Sequence, residues 1–310
     1  MNILVTGGTG FVGNNLIRKL LKTEDVEKIV LLKRKASDLS KINDIKNKLI
    51  LVDIEDIEDF NELFVHKIDI IIHLSSKYTK SNETKEDVEE MNFFNISLPS
   101  ELLFYAIKNN VKGYINTGSF FEFKHENTKK ISEKTPLEPF NYYAATKIAF
   151  EEILKYYSKK FGIKSITLKL FSPYGESQEN KIIPLIINSF LTNRGMTLNG
   201  GKQKLSFTYI DDIVNAYLLG IKYIFSNKYS KYESFNIGTS ENYSIKEIIK
   251  IASKYSNNRP VFNYNSSTKN EEINFSKCDN SKAKQFLGWN PKYNLETGIK
   301  RTIEITKNVI

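Results

Sequence analysis

A single cysteine, Cys278, stands among the 310 residues. No internal disulfide can form, and the chain is expected to work in a reducing cytoplasm. No stretch approaches the roughly twenty uninterrupted apolar residues that a membrane helix needs, which excludes a spanning anchor of that kind. The opening residues, Met1-Asn2-Ile3-Leu4-Val5-Thr6, carry no basic leader, long apolar core or cleavage site, so export is not expected. No residue cluster reads as a metal site, and none is expected. What is present is the composition of a globular protein: 40% hydrophobic and 26% charged residues are too apolar for a disordered chain and too polar for a membrane protein. The formal charge of +9 comes from lysines spread along the chain among acids, as Lys129 and Lys130 lie between Glu126 and Glu133. Such a pattern is a solvated surface, or a basic rim for a phosphorylated ligand, rather than a nucleic-acid face.

The first half alternates short apolar runs with amphipathic stretches, the signature of βαβ units around a parallel sheet. Strands are predicted at Asn2 to Thr6, Lys28 to Leu32, Leu49 to Val52, Asp69 to His73, Gly113 to Thr117 and Ser165 to Leu170. Helices are predicted near Phe11 to Leu21, Asp56 to Phe64, Glu86 to Asn109 and Tyr142 to Phe161. This order predicts an α/β chain of the Rossmann type, a doubly wound parallel sheet with its ligand at the carboxyl ends of the strands. After about Gly175 the alternation gives way to shorter elements, a glycine turn at Asn199-Gly200-Gly201 and a mixed stretch from Ser256 to Lys269. The expected division is residues 1–175 for dinucleotide binding and 176–310 as a smaller mixed α/β substrate-binding part. No low-complexity linker separates them, so the boundary is soft and the two parts share an interface.

Thr6-Gly7-Gly8-Thr9-Gly10-Phe11-Val12-Gly13 follows the first strand directly and opens a helix. In that context Gly7 suits the tight turn, Gly10 a close approach of pyrophosphate, and Gly13 close packing of helix on sheet, while the helix N-terminus offers its amides to the phosphates. Asp53-Ile54 follows the third strand, where enzymes similar to this one use an acid to hold adenine, unless the acid caps the next helix. At the end of the second strand, Leu32 is followed by Lys33-Arg34-Lys35. An acid that would bind the ribose hydroxyls of NAD is missing, and an Arg stands where it could pair with a 2′-phosphate. NADP(H) is therefore favoured over NAD(H); surface cations after a strand are the alternative.

Tyr143-Ala144-Ala145-Thr146-Lys147 sets a phenol and an ammonium four residues apart on one helix face. A nearby positive charge favours the phenolate and makes Tyr143 a better proton donor and acceptor near neutrality. Lys147 could also bond the nicotinamide ribose. Ile115-Asn116-Thr117-Gly118-Ser119 ends a buried strand with a hydroxyl at its carboxyl tip, where Ser119 can donate to a substrate oxygen as charge develops on it. Thr117 is the alternative if the register differs by two.

Taken together, Thr6 to Gly13, Asp53, His73-Leu74-Ser75-Ser76, Ser119, Tyr143 and Lys147 resemble, in their order, the extended short-chain dehydrogenase/reductase family over nearly the whole chain. Pro173-Tyr174-Gly175, Asn180-Lys181-Ile182-Ile183-Pro184, Tyr209-Ile210-Asp211-Asp212 and Leu287-Gly288-Trp289 are similar to its second-domain signatures. The resemblance implies that Ser119, Tyr143 and Lys147 are catalytic. It implies that Gly7, Gly10, Phe11, Val12, Gly13, Lys33, Arg34, Asp53, Ile54, Leu74, Ser75 and Ser76 hold the dinucleotide together with Tyr143 and Lys147. Asn180, Lys181, Lys204, Tyr209 and Lys269 then meet a sugar-nucleotide substrate. Leu205 stands where the family commonly has an Arg for the nucleotide diphosphate, with Lys204 or Lys269 as substitutes, unless these are ordinary exposed lysines. Asn116 to Phe121 and Asn180 to Ile187 are most similar to reductases of CDP-linked 4-keto-3,6-dideoxy sugars. The implied activity is NADPH-dependent reduction of a 4-keto sugar nucleotide in deoxysugar biosynthesis. Phe120-Phe121 replaces the acid pair that a 4,6-dehydratase of the family carries, and the basic stretch at Lys33-Arg34 argues against an NAD-retaining epimerase. An epimerase or dehydratase, and a dinucleotide-binding sensor without catalysis, are the alternatives; a homodimer is left open.

Overall fold

The computed structural model describes residues 1–80, 82–126, 129–226, 231–265 and 273–307. Six strands come from the first part of the chain: β1 (Asn2–Thr6), β2 (Lys28–Lys33), β3 (Ile50–Asp53), β4 (Ile70–His73), β5 (Gly113–Ser119) and β6 (Lys164–Leu170). With Tyr232–Ile237 they form one seven-stranded sheet in the order Tyr232–Ile237, β6, β5, β4, β1, β2, β3. All neighbours run parallel. Each predicted strand of the first half is there, with ends moved by at most two residues. Parallel strands covered on both faces must be apolar on both, and Ile3-Leu4-Val5 meets that demand. Ile3 and Val5 face one core with Leu16, Ile17 and Ile221, and Leu4 faces the other with Leu102, Leu103 and Phe150. The chain steps outward from β1 to β3 and then crosses back to β4, so the strand order reverses between β1 and β4. Their carboxyl ends diverge there, and a cleft opens.

Four helices accompany the first half: α1 (Phe11–Leu20), α2 (Lys85–Asn92), α3 (Leu98–Lys108) and α4 (Tyr142–Phe161). The limits of α4 are written locally: the Asn141 side chain accepts the Ala144 amide at 3.0 Å, and Gly162 leaves the helix at φ 79°. Two helix expectations need correction. Asp56 to Phe64 is no α-helix but a pair of 3₁₀ segments, Ile54–Asp56 and Phe60–His66. The Asp59 carboxylate accepts the Asn61 amide at 2.9 Å and resets the chain before a longer helix can propagate. Glu86 to Asn109 is α2 and α3 joined by a π turn at Phe93–Ser97. Pro99 has no amide to return to the turn before it, and the backbone widens around that missing bond.

The later chain supplies α5 (Ile182–Thr192), α6 (Ile210–Ile224), α7 (Ile245–Ser253) and α8 (Leu295–Lys307), with short strand pairs between them. Its apolar residues do not make a separate core. Ile213, Ile221, Phe235, Trp289, Ile299 and Ile303 share one cluster with Ile3, Val5 and Leu168 of the sheet. Among the described residues no helix is long and apolar enough to cross a membrane.

Asp212 locks the C-terminal segment onto α6. Its two carboxylate oxygens accept the amides of Lys292 at 2.8 Å and Tyr293 at 3.0 Å, and its backbone carbonyl accepts the buried Trp289 indole N–H at 2.8 Å. Asp212→Ala strands two amides and is expected to lower the unfolding free energy by roughly 2–4 kcal/mol in urea titration. Asp212→Asn, with one side-chain acceptor left, is expected to recover about half of that.

Candidate active site and dinucleotide cleft

Gly7 leaves β1 at φ 69°, and a Cβ on it would stand 2.5 Å from the Ser75 amide nitrogen. The turn therefore needs glycine both for its dihedral and for the closeness of the chain leaving β4. Thr6 fixes that closeness: its hydroxyl oxygen accepts the amides of Leu74 at 3.2 Å and Ser75 at 3.1 Å, and it lies 2.8 Å from His73 Nδ1. His73 is fully buried, and burial followed by the charge of Lys147 holds its imidazole well below the usual range, hence neutral. The first turn of α1 has neither a side-chain cap nor an acid, so its amide end is turned to the cleft without a carboxylate to compete for it. These features fit a dinucleotide pyrophosphate.

The cleft is lined by Gly7, Gly10, Lys33, Arg34, Ile54, Leu74, Ser75 and Ser76 of the expected set. Phe11, Val12, Gly13 and Asp53 are not in its wall. Phe11 and Val12 pack on the core behind it, and Gly13 packs on the loop, where a Cβ would lie 2.2 Å from the Gly7 carbonyl oxygen. Asp53 forms an ion pair with Lys33 and its side chain caps no helix. Ser37, Phe94 and Leu98 also line the cleft. No motif marks them; Ser37 is tied to Arg34 by a 3.1 Å bond from the Arg34 amide, and the two apolar residues arrive from the π turn and α3.

Tyr143 and Lys147, also expected at the dinucleotide, are not in this wall either; they begin α4, where Tyr143 is joined to the lining residue Ser76 by a hydrogen bond and the Lys147 nitrogen lies 5.7 Å from the centre of the Tyr143 ring. Lys147 is 2% exposed, and burial lowers its ammonium to about 8, opposed by the Glu122 carboxylate. The phenol of Tyr143 is raised well above its ordinary value by burial and then by Glu122, against a hydrogen bond with Ser76. The expectation that a lysine neighbour favours the phenolate is thus outweighed here: desolvation of the phenol is the larger effect. Ser119 ends β5, where its amide donates to Glu122 Oε1 at 2.5 Å and its hydroxyl oxygen accepts the Phe121 amide at 3.2 Å. One carboxylate, Glu122, is therefore neighbour to all three expected residues. The hydroxyl of Thr117 is engaged elsewhere, 2.8 Å from the His73 carbonyl and 2.7 Å from the Tyr217 hydroxyl.

Asn95, inside the π turn, braces this arrangement. Its carbonyl oxygen accepts the Lys77 amide at 3.0 Å, and its NH₂ donates to the Lys77 carbonyl at 3.0 Å and to the Thr146 hydroxyl at 2.9 Å. Asn95 was not legible as a site residue, because nothing local in sequence relates it to Lys77 or Thr146. Around Tyr143 the wall is aromatic: the Tyr78 ring meets it edge-on at 5.1 Å, Phe121 lies 6.1 Å from Tyr78, and Phe140 lies 5.8 Å from Phe121.

The expected substrate contacts scatter more. Lys181 places its ammonium 4.8 Å from the centre of the Tyr78 ring, at this wall. Asn180 lines a separate 360 Å³ cavity between the loop after Gly175, α5 and α8. Tyr209 is wholly buried and its hydroxyl is held by Glu176 at 2.6 Å and Arg301 at 3.1 Å. Lys204 is exposed on a short strand whose backbone bonds Asn274 and Ser276. Lys269 lies outside the described residues.

A glycine loop at the switch point of a parallel sheet, with a Ser, a Tyr and a Lys near it, has the make-up of a dinucleotide-dependent enzyme. The chain belongs to the NAD dependent epimerase/dehydratase family, matched over residues 3–238. Among its relatives, the CDP-abequose synthase of Salmonella muenchen is 30% identical over 98% of this chain and 97% of its own length. Among solved structures, UDP-glucuronic acid 4-epimerase from Bacillus cereus, in complex with UDP-glucuronic acid and NAD, superposes with a TM-score of 0.89 at 25% identity, all of both chains being covered. UDP-glucose 4-epimerase from Thermotoga maritima, with UDP-glucose, gives 0.86 at 25% identity, covering 100% of this chain and 99% of its own.

The glycine geometry separates two substitutions. A Cβ at Gly13 meets backbone atoms at 2.2 and 2.6 Å that cannot move aside, whereas at Gly10 its only neighbour is the Gly7 oxygen at 3.3 Å. Gly13→Ala is expected to lower the melting temperature of the protein without ligand. Gly10→Ala is expected to leave it unchanged while weakening dinucleotide binding roughly tenfold, by the steric cost of a methyl against the pyrophosphate; calorimetric titration beside a thermal melt measures both.

Proposed function

We propose that the protein is an NADPH-dependent 4-ketoreductase of a sugar nucleotide, with a CDP-linked 4-keto-3,6-dideoxyhexose as substrate, and that residues 1–175 serve the dinucleotide and 176–310 the sugar nucleotide. The observation that carries the reading is the chemistry beside Ser119. The nearest carboxylate after it, Glu122, is fully buried and paired with Lys169, and the residues between are Phe120 and Phe121. Elimination across a sugar needs a separate acid and base at the ring, and Phe120 and Phe121 supply neither; reduction of a ketone needs one proton donor, and Tyr143 is one. The ring of Phe121 offers no hydrogen-bond partner, so a sugar edge set against it is favoured where it lacks a hydroxyl. The CDP group rests on likeness to the CDP-abequose synthase.

Selection of NADPH falls to Arg34. Lys33 is neutralised by Asp53 and Lys35 by Asp56. Among the described residues Arg34 pairs with no carboxylate; its guanidinium lies 5.3 Å from the Phe94 ring centre, with Ser37 adjacent. A planar cation with a hydroxyl beside it suits a 2′-phosphate.

Bound NADPH supplies the hydride that reduces the keto carbon. Tyr143 gives its proton to the carbonyl oxygen, and Ser119, whose own oxygen already accepts from Phe121, directs its O–H to the same oxygen as charge grows there. Thr117 is set aside for this role because its hydroxyl is committed to His73 and Tyr217. Lys147, still largely protonated below about pH 8, holds the ribose and favours the phenolate left behind.

The direct test follows NADPH oxidation with a CDP-linked 4-keto-3,6-dideoxyhexose beside CDP-, dTDP- and UDP-linked 4-keto-6-deoxy sugars. Interconversion of C4 epimers without net NADPH consumption would overturn the reading. Tyr143→Phe is expected to lower turnover by about 10²–10⁴ with NADPH affinity retained. Arg34→Ala is expected to weaken NADPH at least about tenfold more than NADH in fluorescence titration; equal losses would remove the cofactor assignment.

A further inference from the structure

Directly behind Ser119 lies a group of charges that the reduction as written does not use. Glu122 and Lys169 are 0% and 2% exposed, and they form an ion pair on the side of the sheet that faces α4. Lys169 also pairs with Glu151 of α4 at 2.7 Å. Glu151 takes further partners: Lys155 at 3.1 Å, itself shared with Glu152, and the Tyr232 hydroxyl at 2.8 Å. The Phe123 ring closes over the Lys169 ammonium, 4.9 Å from its centre. Even the strand is cut to fit: a Cβ at Gly118 would come within 2.8 Å of Glu122 Oε1 and 3.0 Å of Lys169 Cγ.

Two carboxylates thus share one buried ammonium, and full ionisation would leave a net negative charge where water is excluded. The charge is relieved most cheaply where support is poorest. Against the cost of burial, Lys169 and Lys155 hold Glu151 below the usual carboxylate range. Among the described residues the Glu122 carboxylate is bonded by its share of Lys169 and by the Ser119 amide, with the charge of Lys147 further off.

We propose that Glu122 is a positioning residue of the reaction: it anchors the backbone of Ser119 and, by gaining or losing a proton against Lys169 and Glu151, sets the charge felt by Tyr143 and Lys147. This rests on Tyr143 being the proton donor. Burial, with Glu151 adding and Lys169 opposing, brings Glu122 up to about 7, so it is neutral below that pH and charged above it. The groups facing it are the Ser119 amide from β5, Lys169 from β6, Tyr143, Lys147 and Glu151 from α4, and Tyr232 from the last strand, whose phenol it raises as well. The sign follows. As Glu122 ionises, its carboxylate opposes the phenolate and makes Tyr143 a weaker acid, so ketone reduction slows as pH rises through about 7.

Two variants should move this limb in opposite directions. In Glu122→Gln the charge never forms, and the fall in kcat/KM moves up by about one pH unit or more. In Glu151→Gln, Lys169 serves Glu122 alone, Glu122 ionises more readily, and the fall moves down. Profiles shifted together in one direction, or unshifted in both, overturn the proposal. A second readout needs no turnover: in protein labelled with ¹³Cζ-tyrosine, with Tyr143 assigned by its loss in Tyr143→Phe, the Tyr143 resonance should shift with a midpoint near pH 7. That inflection should be absent in Glu122→Gln. Its absence from the unmodified protein sinks the proposal even if Glu122→Gln fails to fold. If no keto sugar is reduced while the inflection is present, the reading of the substrate has failed and the electrostatic coupling stands.

Discussion

The hydroxyl of Thr6 accepts two amides from the chain leaving β4 and touches the imidazole of the residue before them. Through that one oxygen the loops after β1 and β4 are held at a fixed separation, and the rest of the cleft is built outward from it. Gly7 can turn only because the chain leaving β4 passes so near, and Gly13 can bring α1 onto the loop only because Gly7 has turned. Leu74, Ser75 and Ser76 face the cleft because their backbone is bound at its root. The neutral state of His73 belongs to the same constraint, since a charged imidazole there would set a cation beside Lys147 in a place that water cannot reach.

From this root the site extends along two elements of different character. β5 delivers Ser119 by register alone: it pairs in parallel with β4 and β6, and its last residue emerges beyond the end of β4. Tyr143 and Lys147 arrive by helix periodicity and are steadied from outside their own helix, by Asn95 through Thr146. A π turn is a local departure from helical economy, and here it carries the side chain that joins the loop after β4 to α4.

What could be read from the residue order was whatever has a local cause. Apolar runs of four to six residues placed the strands, the glycine loop placed the switch point, and Asn141 and Gly162 bracket a helix that was located to the residue. Two helix expectations missed a local signal, and the others failed where the cause is distant. Asp59 diverted a helical pattern into 3₁₀ turns by one capping bond, and Pro99 opened a π turn in what read as continuous helix. The rise of the Tyr143 phenol is set by desolvation and then by Glu122, with Ser76 opposing and Tyr78 adding, three residues from other segments. Ser37, Phe94 and Asn95 carry no motif, and the pairing of Lys33, which lines the cleft, with Asp53 comes from the neighbouring strand β3. Residue types near a strand end give candidates; partners from neighbouring strands decide which of them are free.

The lock at Asp212 also bears on how the fold is reached during synthesis. The carboxylate on α6 waits for amides eighty residues further on, and Ile299 and Ile303 of α8 sit in the same apolar cluster as Ile3 and Val5. The cluster on this flank is begun by α1 and α6, and α8 adds its residues last in chain order. During synthesis the apolar partners of Ile299 and Ile303, and the carboxylate of Asp212, stay without these contacts until that segment has emerged, a stage at which exposed apolar surface can stick to neighbours.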